Sequence, residues 1–149
     1  RKGVMFGFDG RHTRAHMYRS ILEGIAFTVK NHMDKMNQAL NTPLTHLIIS
    51  GGGANSNVFM QIFADIFGVT TSRNQIKGSA SVGCVINAGM AVGAFDSYEE
   101  AVAKMVRKDD EFSPNQENTK FYNQLNDKVY RHVNQHFDPV LKALSLLVD

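Results

Sequence analysis

Apolar positions recur at a helical period in some stretches of the chain and as short runs in others, and this alternation predicts an α/β protein. Between Arg14 and Leu40, residues Tyr18, Ile21, Leu22, Ile25, Val29, Met33, Met36 and Leu40 repeat at three- and four-residue steps. That spacing lays them on one face of a long helix. Thr13 is placed to cap it, its hydroxyl taking an orphan backbone N–H. Asn41-Thr42-Pro43 ends it, because the residue before a proline is pushed out of helical space. Gly24 sits mid-helix, where glycine costs about 1 kcal/mol against alanine, and marks the close approach of another element.

Leu47-Ile48-Ile49 runs into Ser50-Gly51-Gly52-Gly53, a buried strand entering a glycine turn. A helix over about Ser56–Phe67 follows, with Phe59, Ile62, Phe63, Ile66 and Phe67 on its inner face and Gly68 as its stop. Val69-Thr70-Thr71-Ser72 is a second short strand. Two strands separated by one helix make a β-α-β unit with parallel strands and a right-handed crossover. From Ser79 to Gly93 the small residues Ala80, Gly83, Ala88, Gly89 and Ala91 are mixed with Val82, Val85, Ile86, Met90 and Val92, which predicts a buried helix packed close to its neighbour.

Ser97-Tyr98-Glu99-Glu100 is a capping box that opens a helix to about Val106. Lys108 to Pro114 is expected as a loop, with Asp109-Asp110-Glu111 on its solvated face. Glu117–Phe137 is amphipathic through Phe121, Leu125, Val129 and Val133, and Asp138-Pro139 opens a last helix carrying Leu141, Leu144 and Leu147. Two strands are too few to support this many helices, since a sheet wants three or more. The expectation is that residues 1–149 are one part of a domain whose other strands lie upstream of Arg1. A first residue other than Met suits that view.

Composition narrows the function classes. The chain has 149 residues, 43% of them hydrophobic and 20% charged, as a globular domain does. Sixteen Lys and Arg against 14 Asp and Glu leave a charge of +2, which calls for neither a nucleic acid nor a membrane surface. Cys84 is the only cysteine, which excludes an internal disulfide framework and a zinc site of several thiolates; a cytoplasmic setting fits. No apolar run reaches the ~18–20 residues that span a bilayer.

Arg1, Lys2, Arg11, Arg14 and Arg19 face a single acid, Asp9, and are expected at the surface or against another part of the protein. His12 and His16 stand four apart with no glutamate between them, and read as packed or hydrogen-bonded rather than as a metal pair. Cys84 has no base beside it and reads as an inert thiol. Met17, Met33 and Met36 read as core or interface filler.

The segment with chemical promise is Ser50-Gly51-Gly52-Gly53-Ala54-Asn55-Ser56-Asn57, between a strand and a helix. Glycines let a ligand approach the backbone. The following helix adds unpaired N–H donors and its positive end, which suits phosphate or a nucleotide. A plain tight turn capped by Asn55 or Ser56 has the same pattern. The segment lacks the Gly-Lys-Ser/Thr ending of a P-loop, and Ser56 fills the third glycine slot of a dinucleotide fingerprint. Arg73 and Asn74, not an acid, end the second strand.

Four segments in order resemble the C-terminal part of the FGGY carbohydrate kinases. They are Gly3-Val4-Met5-Phe6-Gly7-Phe8 with His16-Met17-Tyr18-Arg19-Ser20-Ile21-Leu22-Glu23; Gly51-Gly52-Gly53-Ala54 with Gln61-Ile62-Phe63-Ala64-Asp65; Ala80-Ser81-Val82-Gly83; and Ala88-Gly89-Met90-Ala91-Val92-Gly93. Phe8, where an aliphatic residue is usual, and Cys84, where alanine is common, depart from the pattern.

The resemblance implies an actin/hexokinase-like (ribonuclease H-like) ATPase fold, with ATP mostly on the C-terminal domain and sugar in a cleft between two domains. It implies a nucleotide site at Gly51, Gly52, Gly53, Ala54, Asn55 and Ser56, with Gly52 and Gly53 approaching the nucleotide through backbone and Ser56 near the adenine. The reaction implied is transfer of the γ-phosphate of Mg2+-bound ATP to a hydroxyl of a small sugar, polyol or sugar acid. The family's general base and most sugar-binding residues lie upstream, so no catalytic residue and no metal ligand is expected here, and residues 1–149 alone are expected to be inactive. A non-catalytic, regulatory nucleotide-binding member of the same fold is the alternative. Many members are dimers, so a homodimer is one assembly the resemblance allows.

Overall fold

The computed structural model describes residues 3–148; Arg1 and Lys2 of the basic stretch lie outside the described residues. In order the elements are α1 (Arg14–Leu40), β1 (His46–Ile48), a 3-10 turn (Gly52–Asn55), α2 (Asn57–Phe67), β2 (Thr70–Asn74), α3 (Ser79–Ala91), α4 (Tyr98–Met105), β3 (Lys108–Phe112), α5 (Gln116–Leu125), a π-turn (Asn126–Tyr130) and α6 (Arg131–Val148).

The predicted β-α-β unit is present. β1 pairs parallel with β2 in the register His46↔Thr70, Leu47↔Thr71, Ile48↔Ser72. Between them α2 starts at Ser56, whose hydroxyl accepts the Phe59 N–H at 3.3 Å. It stops at Gly68, in the left-handed conformation with φ 69°. Apolar residues surround α2, and Met60, Ile62, Phe63, Ala64, Ile66 and Phe67 are all buried. It is the centre of the main core, packed between α1 and α5.

The expected loop at Lys108–Phe112 is instead a third strand, antiparallel to β2 with Thr71↔Phe112 and Ser72↔Glu111. Lys, Asp and Glu are poor strand formers. They are tolerated at the edge of the sheet, where charge also discourages pairing with another chain, and their side chains form ion pairs, three of them with Arg73 and Lys77, on and beyond β2. The sheet order is β1-β2-β3, so the third strand comes from downstream. β1 is less buried than its run of apolar residues suggests. Leu47 and Ile49 pack against the core while Ile48 is 64% exposed, because alternate residues of a strand point to opposite faces and only one face is covered here.

α1 has the predicted bounds but buries a different stripe. Ala26 and Phe27 are buried, with Leu22 and Met33 packed beside them. Tyr18, Ile21, Ile25, Val29, Met36 and Leu40, expected on the inner face, are exposed, as is Met17. The helix carries apolar residues around more than half its circumference, and α2 occupies only one side of it. The cap also works in the reverse sense: His16 Nδ1 accepts the Thr13 backbone N–H at 3.1 Å. Gly24 does mark a close approach, since the Tyr130 hydroxyl donates to its carbonyl at 2.9 Å.

α3 is helical as expected but not buried. Val82 and Ile86 alone are buried, forming a small second core with Ala101 of α4, Phe95, Met105 and Val106. Ala80, Ser81, Cys84, Val85 and Ala88 face outward. The α4 cap differs slightly from a standard box. Ser97 accepts the Glu100 N–H, but the Glu100 carboxylate accepts from Asp96 rather than from Ser97. Asp138-Pro139 does not open a separate helix, because α6 runs through Pro139. The π-turn inserts an extra residue that resets the helical register. Tyr122 and Tyr130 thereby both reach Phe27, with ring centroids at 5.8 and 4.8 Å.

Candidate functional site

The glycine turn leaves β1 at the carboxyl end of the parallel pair, the edge at which open α/β sheets bind ligands. Each glycine has its own local reason. Gly51 has φ 88° and ψ −171°, a region closed to side chains. At Gly53 an added Cβ would lie 2.7 Å from Cε1 of Phe59. At Gly52 a Cβ would meet nothing within 4 Å. Gly51 is required by its backbone conformation and Gly53 by the Phe59 ring, whereas Gly52 borders open space.

Gly51, Gly52, Gly53 and Asn55 are exposed, Ser56 is partly covered and Ala54 is buried. The turn is closed by bonds from Ala54 N to Gly51 O and from Ser56 N to Gly53 O, both 3.1 Å. The segment after β2 lies beside it. Gly51 N donates to Lys77 O at 2.8 Å, and the hydroxyls of Ser50 and Ser79 are 3.0 Å apart. This brings the start of α3 to the same edge, so two strand-to-helix connections frame one surface.

The turn rests on a charged cluster. Arg73, 93% buried, donates from Nη1 to the Ala54 carbonyl at 2.8 Å. Its Nη2 pairs with Asp110, and its Nε lies 3.8 Å from Asp109. Lys77 reaches the same Asp109 oxygen at 3.3 Å. Asp109-Asp110-Glu111, expected on a solvated loop, therefore serves two roles. The first two residues anchor the turn's supports, and Glu111 pairs with Lys108 on its own strand. A basic residue inside a buried strand and a distant acidic run were the available signals, but nothing in the sequence joins them.

Other candidates resolve into structural roles. His12 Nδ1 accepts the Asp9 backbone N–H at 3.0 Å and His16 Nδ1, in the first turn of α1, accepts the Thr13 N–H, so both are locally hydrogen-bonded. Cys84 is exposed rather than packed away. Asp65, fully buried, accepts from Gln61, from the Asn115 backbone and from Asn118, each at 2.8 Å, and so ties α2 to the start of α5. A cleft of about 170 Å³ lined by Asn74, Ile76, Val82, Ile86, Val106 and Arg107 lies under α3. A polar groove of about 650 Å³ runs between α1 and the π-turn. No residue of Gly51–Ser56 lines either.

Comparison with known proteins places this arrangement. Residues 1–92 match the model of the FGGY family of carbohydrate kinases, C-terminal domain. The chain belongs to that family. It is 44% identical over 142 residues to the uncharacterised sugar kinase YgcE of Escherichia coli K12, a match covering 95% of this chain and 29% of that protein. It superposes on a xylulose kinase of Lactobacillus acidophilus with a TM-score of 0.74 at 22% identity, over 89% of this chain and 26% of that one. It also superposes on Plasmodium falciparum glycerol kinase, solved with ADP, with a TM-score of 0.69 at 27% identity, over 85% of this chain and 26% of that one. The fold is therefore the actin/hexokinase-like one, present in part. The chain spans under a third of the length of the relatives it matches.

Proposed function

We propose that residues 1–149 are the nucleotide-side part of an ATP-dependent carbohydrate kinase, and that ATP lies on Gly51, Gly52, Gly53, Ala54, Asn55 and Ser56. The observation that carries this is the turn itself: a family-matched glycine segment at the carboxyl edge of parallel strands, with Gly52 opening onto free space. The presence of ADP in a glycerol kinase of the same fold is consistent with it. Backbone amides suit a nucleotide because they offer donors without bulk.

The whole protein would move the γ-phosphate to a hydroxyl of a small sugar, polyol or sugar acid, with positioning and charge stabilisation supplying most of the rate. Among the described residues no group of three or more His, Cys, Asp or Glu is arranged to hold a metal, and Asp109 and Asp110 are engaged by Arg73 and Lys77. On this reading Mg2+ is assigned to the phosphates and to residues outside this chain. The proton acceptor for the sugar hydroxyl is likewise assigned outside it. The uncovered faces of α1 and α3 suit packing against the remainder of such a protein.

A coupled ADP-release assay of the full-length protein over ketoses, polyols and aldonates tests the activity and selects the substrate class. Residues 1–149 alone should release no ADP with any sugar. Phosphorylation by them would overturn the division of labour. Hydrogen exchange with an ATP analogue should protect residues 51–56, and protection elsewhere would move the site.

A further inference from the structure

We propose that Arg73, held by Asp109 and Asp110 of β3, is a positioning residue for the nucleotide: the cluster fixes both ends of the glycine turn from behind, and nucleotide affinity depends on it. This rests on the assignment of the turn as the ATP site.

The geometry is two-ended. At the far end, Arg73 Nη1 donates to the carbonyl of fully buried Ala54 at 2.8 Å. At the near end, the Lys77 carbonyl accepts the Gly51 N–H at 2.8 Å. Both supports are tethered to the same strand. Arg73 pairs with Asp110 through Nη2, and Lys77 Nζ sits 3.3 Å from Asp109. The Arg73 guanidinium also lies over the Phe112 ring at 5.4 Å. Among the described residues, β3 is linked to the turn through Arg73 and Lys77.

Burying a guanidinium is costly unless it is paired and its donors are used. An aliphatic residue could fill this position in a strand, but it could not satisfy the Ala54 carbonyl. A rigid planar fork holds a carbonyl and a carboxylate in fixed directions at once, whereas a lysine presents one rotatable ammonium on a flexible stem. A turn held in one conformation binds its ligand without first losing the entropy of ordering. Asp109 and Asp110 lie beyond the residues 1–92 that match the family model, so the restraint comes from a part of the chain that the match does not cover.

The test uses the full-length protein and four variants: Asp110→Asn, Arg73→Lys, Arg73→Met and, as a control on the same strand, Glu111→Gln. Three quantities are read: the dissociation constant for ADP, the KM for the sugar, and amide exchange of residues 52–56 without ligand. Asp110 is half exposed, so Asp110→Asn is the variant that keeps its fold if Arg73→Met does not. Asp110→Asn should weaken ADP binding about tenfold, speed exchange in the turn and leave the sugar KM unchanged. Arg73→Met should do more, and Arg73→Lys should restore little. Glu111→Gln should match wild type.

Unchanged ADP affinity and turn exchange in folded Asp110→Asn and Arg73→Lys proteins would overturn the positioning role while leaving the nucleotide site standing. A wild-type turn that ADP does not protect from exchange would instead remove the nucleotide assignment itself, and the positioning role with it.

Discussion

α2 and α3 follow successive strands of one sheet and are similarly apolar in sequence, yet they have opposite fates. α2 buries Met60 and every residue from Ile62 to Phe67, including a carboxylate; α3 buries Val82 and Ile86. The glycines show the same contrast. Gly53 is required by the Phe59 ring, whereas Gly83 of α3 has nothing within 4 Å. Where the chain explains a glycine, it does so by a contact, as at Gly53, or by a positive φ, as at Gly51 and Gly68. Gly52, Gly83 and the outward alanines of α3 have no such explanation among the described residues. On the proposed reading, the open space at Gly52 and Gly83 serves a nucleotide at the turn and further protein at the helix.

The sharpest way to break this contrast is to truncate both helices. Ile66→Ala should cost about 2–5 kcal/mol in denaturant unfolding. Val82→Ala should cost only about 1–2 kcal/mol in the same measurement on residues 1–149. Equal losses would mean that the two helices are equally embedded. Asp65→Ala should rank next, at about 3 kcal/mol, because the amides of Gln61, Asn115 and Asn118 lose a buried acceptor.

Gly52→Leu should leave the unfolding midpoint near that of wild type, since the added side chain meets open space. It should still weaken nucleotide binding to the full-length protein by roughly tenfold or more. Unaltered ATP affinity would mean that the space over Gly52 is not used. Cys84 offers a fourth comparison. It is exposed in this chain, so a thiol reagent should label residues 1–149 rapidly and the full-length protein slowly. Equal rates would leave the outer face of α3 without a partner.

The smallest effect is alkaline. Burial pushes the Tyr122 phenol up to about 12, with the Glu23 carboxylate adding to the shift. Tyr122 donates to Glu23 at 2.7 Å and accepts from Arg19 at 3.0 Å. A value raised on folding means that this stabilisation is whole below about pH 10 and fades as pH climbs through 12. Tyr122→Phe should flatten the fall in stability over that window. A slope equal to wild type would assign the fall to other groups.

Much of the fold was legible because its signals are local. The Ser56 cap, the Gly68 stop and the parallel β-α-β pairing all depend on neighbours a few residues away. The glycine turn was legible as a segment for the same reason. β3 was not, because Lys108-Asp109-Asp110-Glu111 carries no strand pattern, and its place is set by the edge of β2 and by Arg73. Pro139 misled in the other direction: its missing N–H argues for a break, but α6 continues through it.

The sequence alone decided which segments are helical, where most of them start and stop, and where the glycine turn falls, since caps, periods and glycines act over a turn or two of chain. Tertiary structure decided which side of α1 is covered, that an acidic run becomes an edge strand, and that Arg73 reaches the carbonyl of Ala54. Those outcomes depend on pairs of residues dozens of positions apart. Short-range preference is silent about them until burial, charge pairing and the sheet's free edge bring them together.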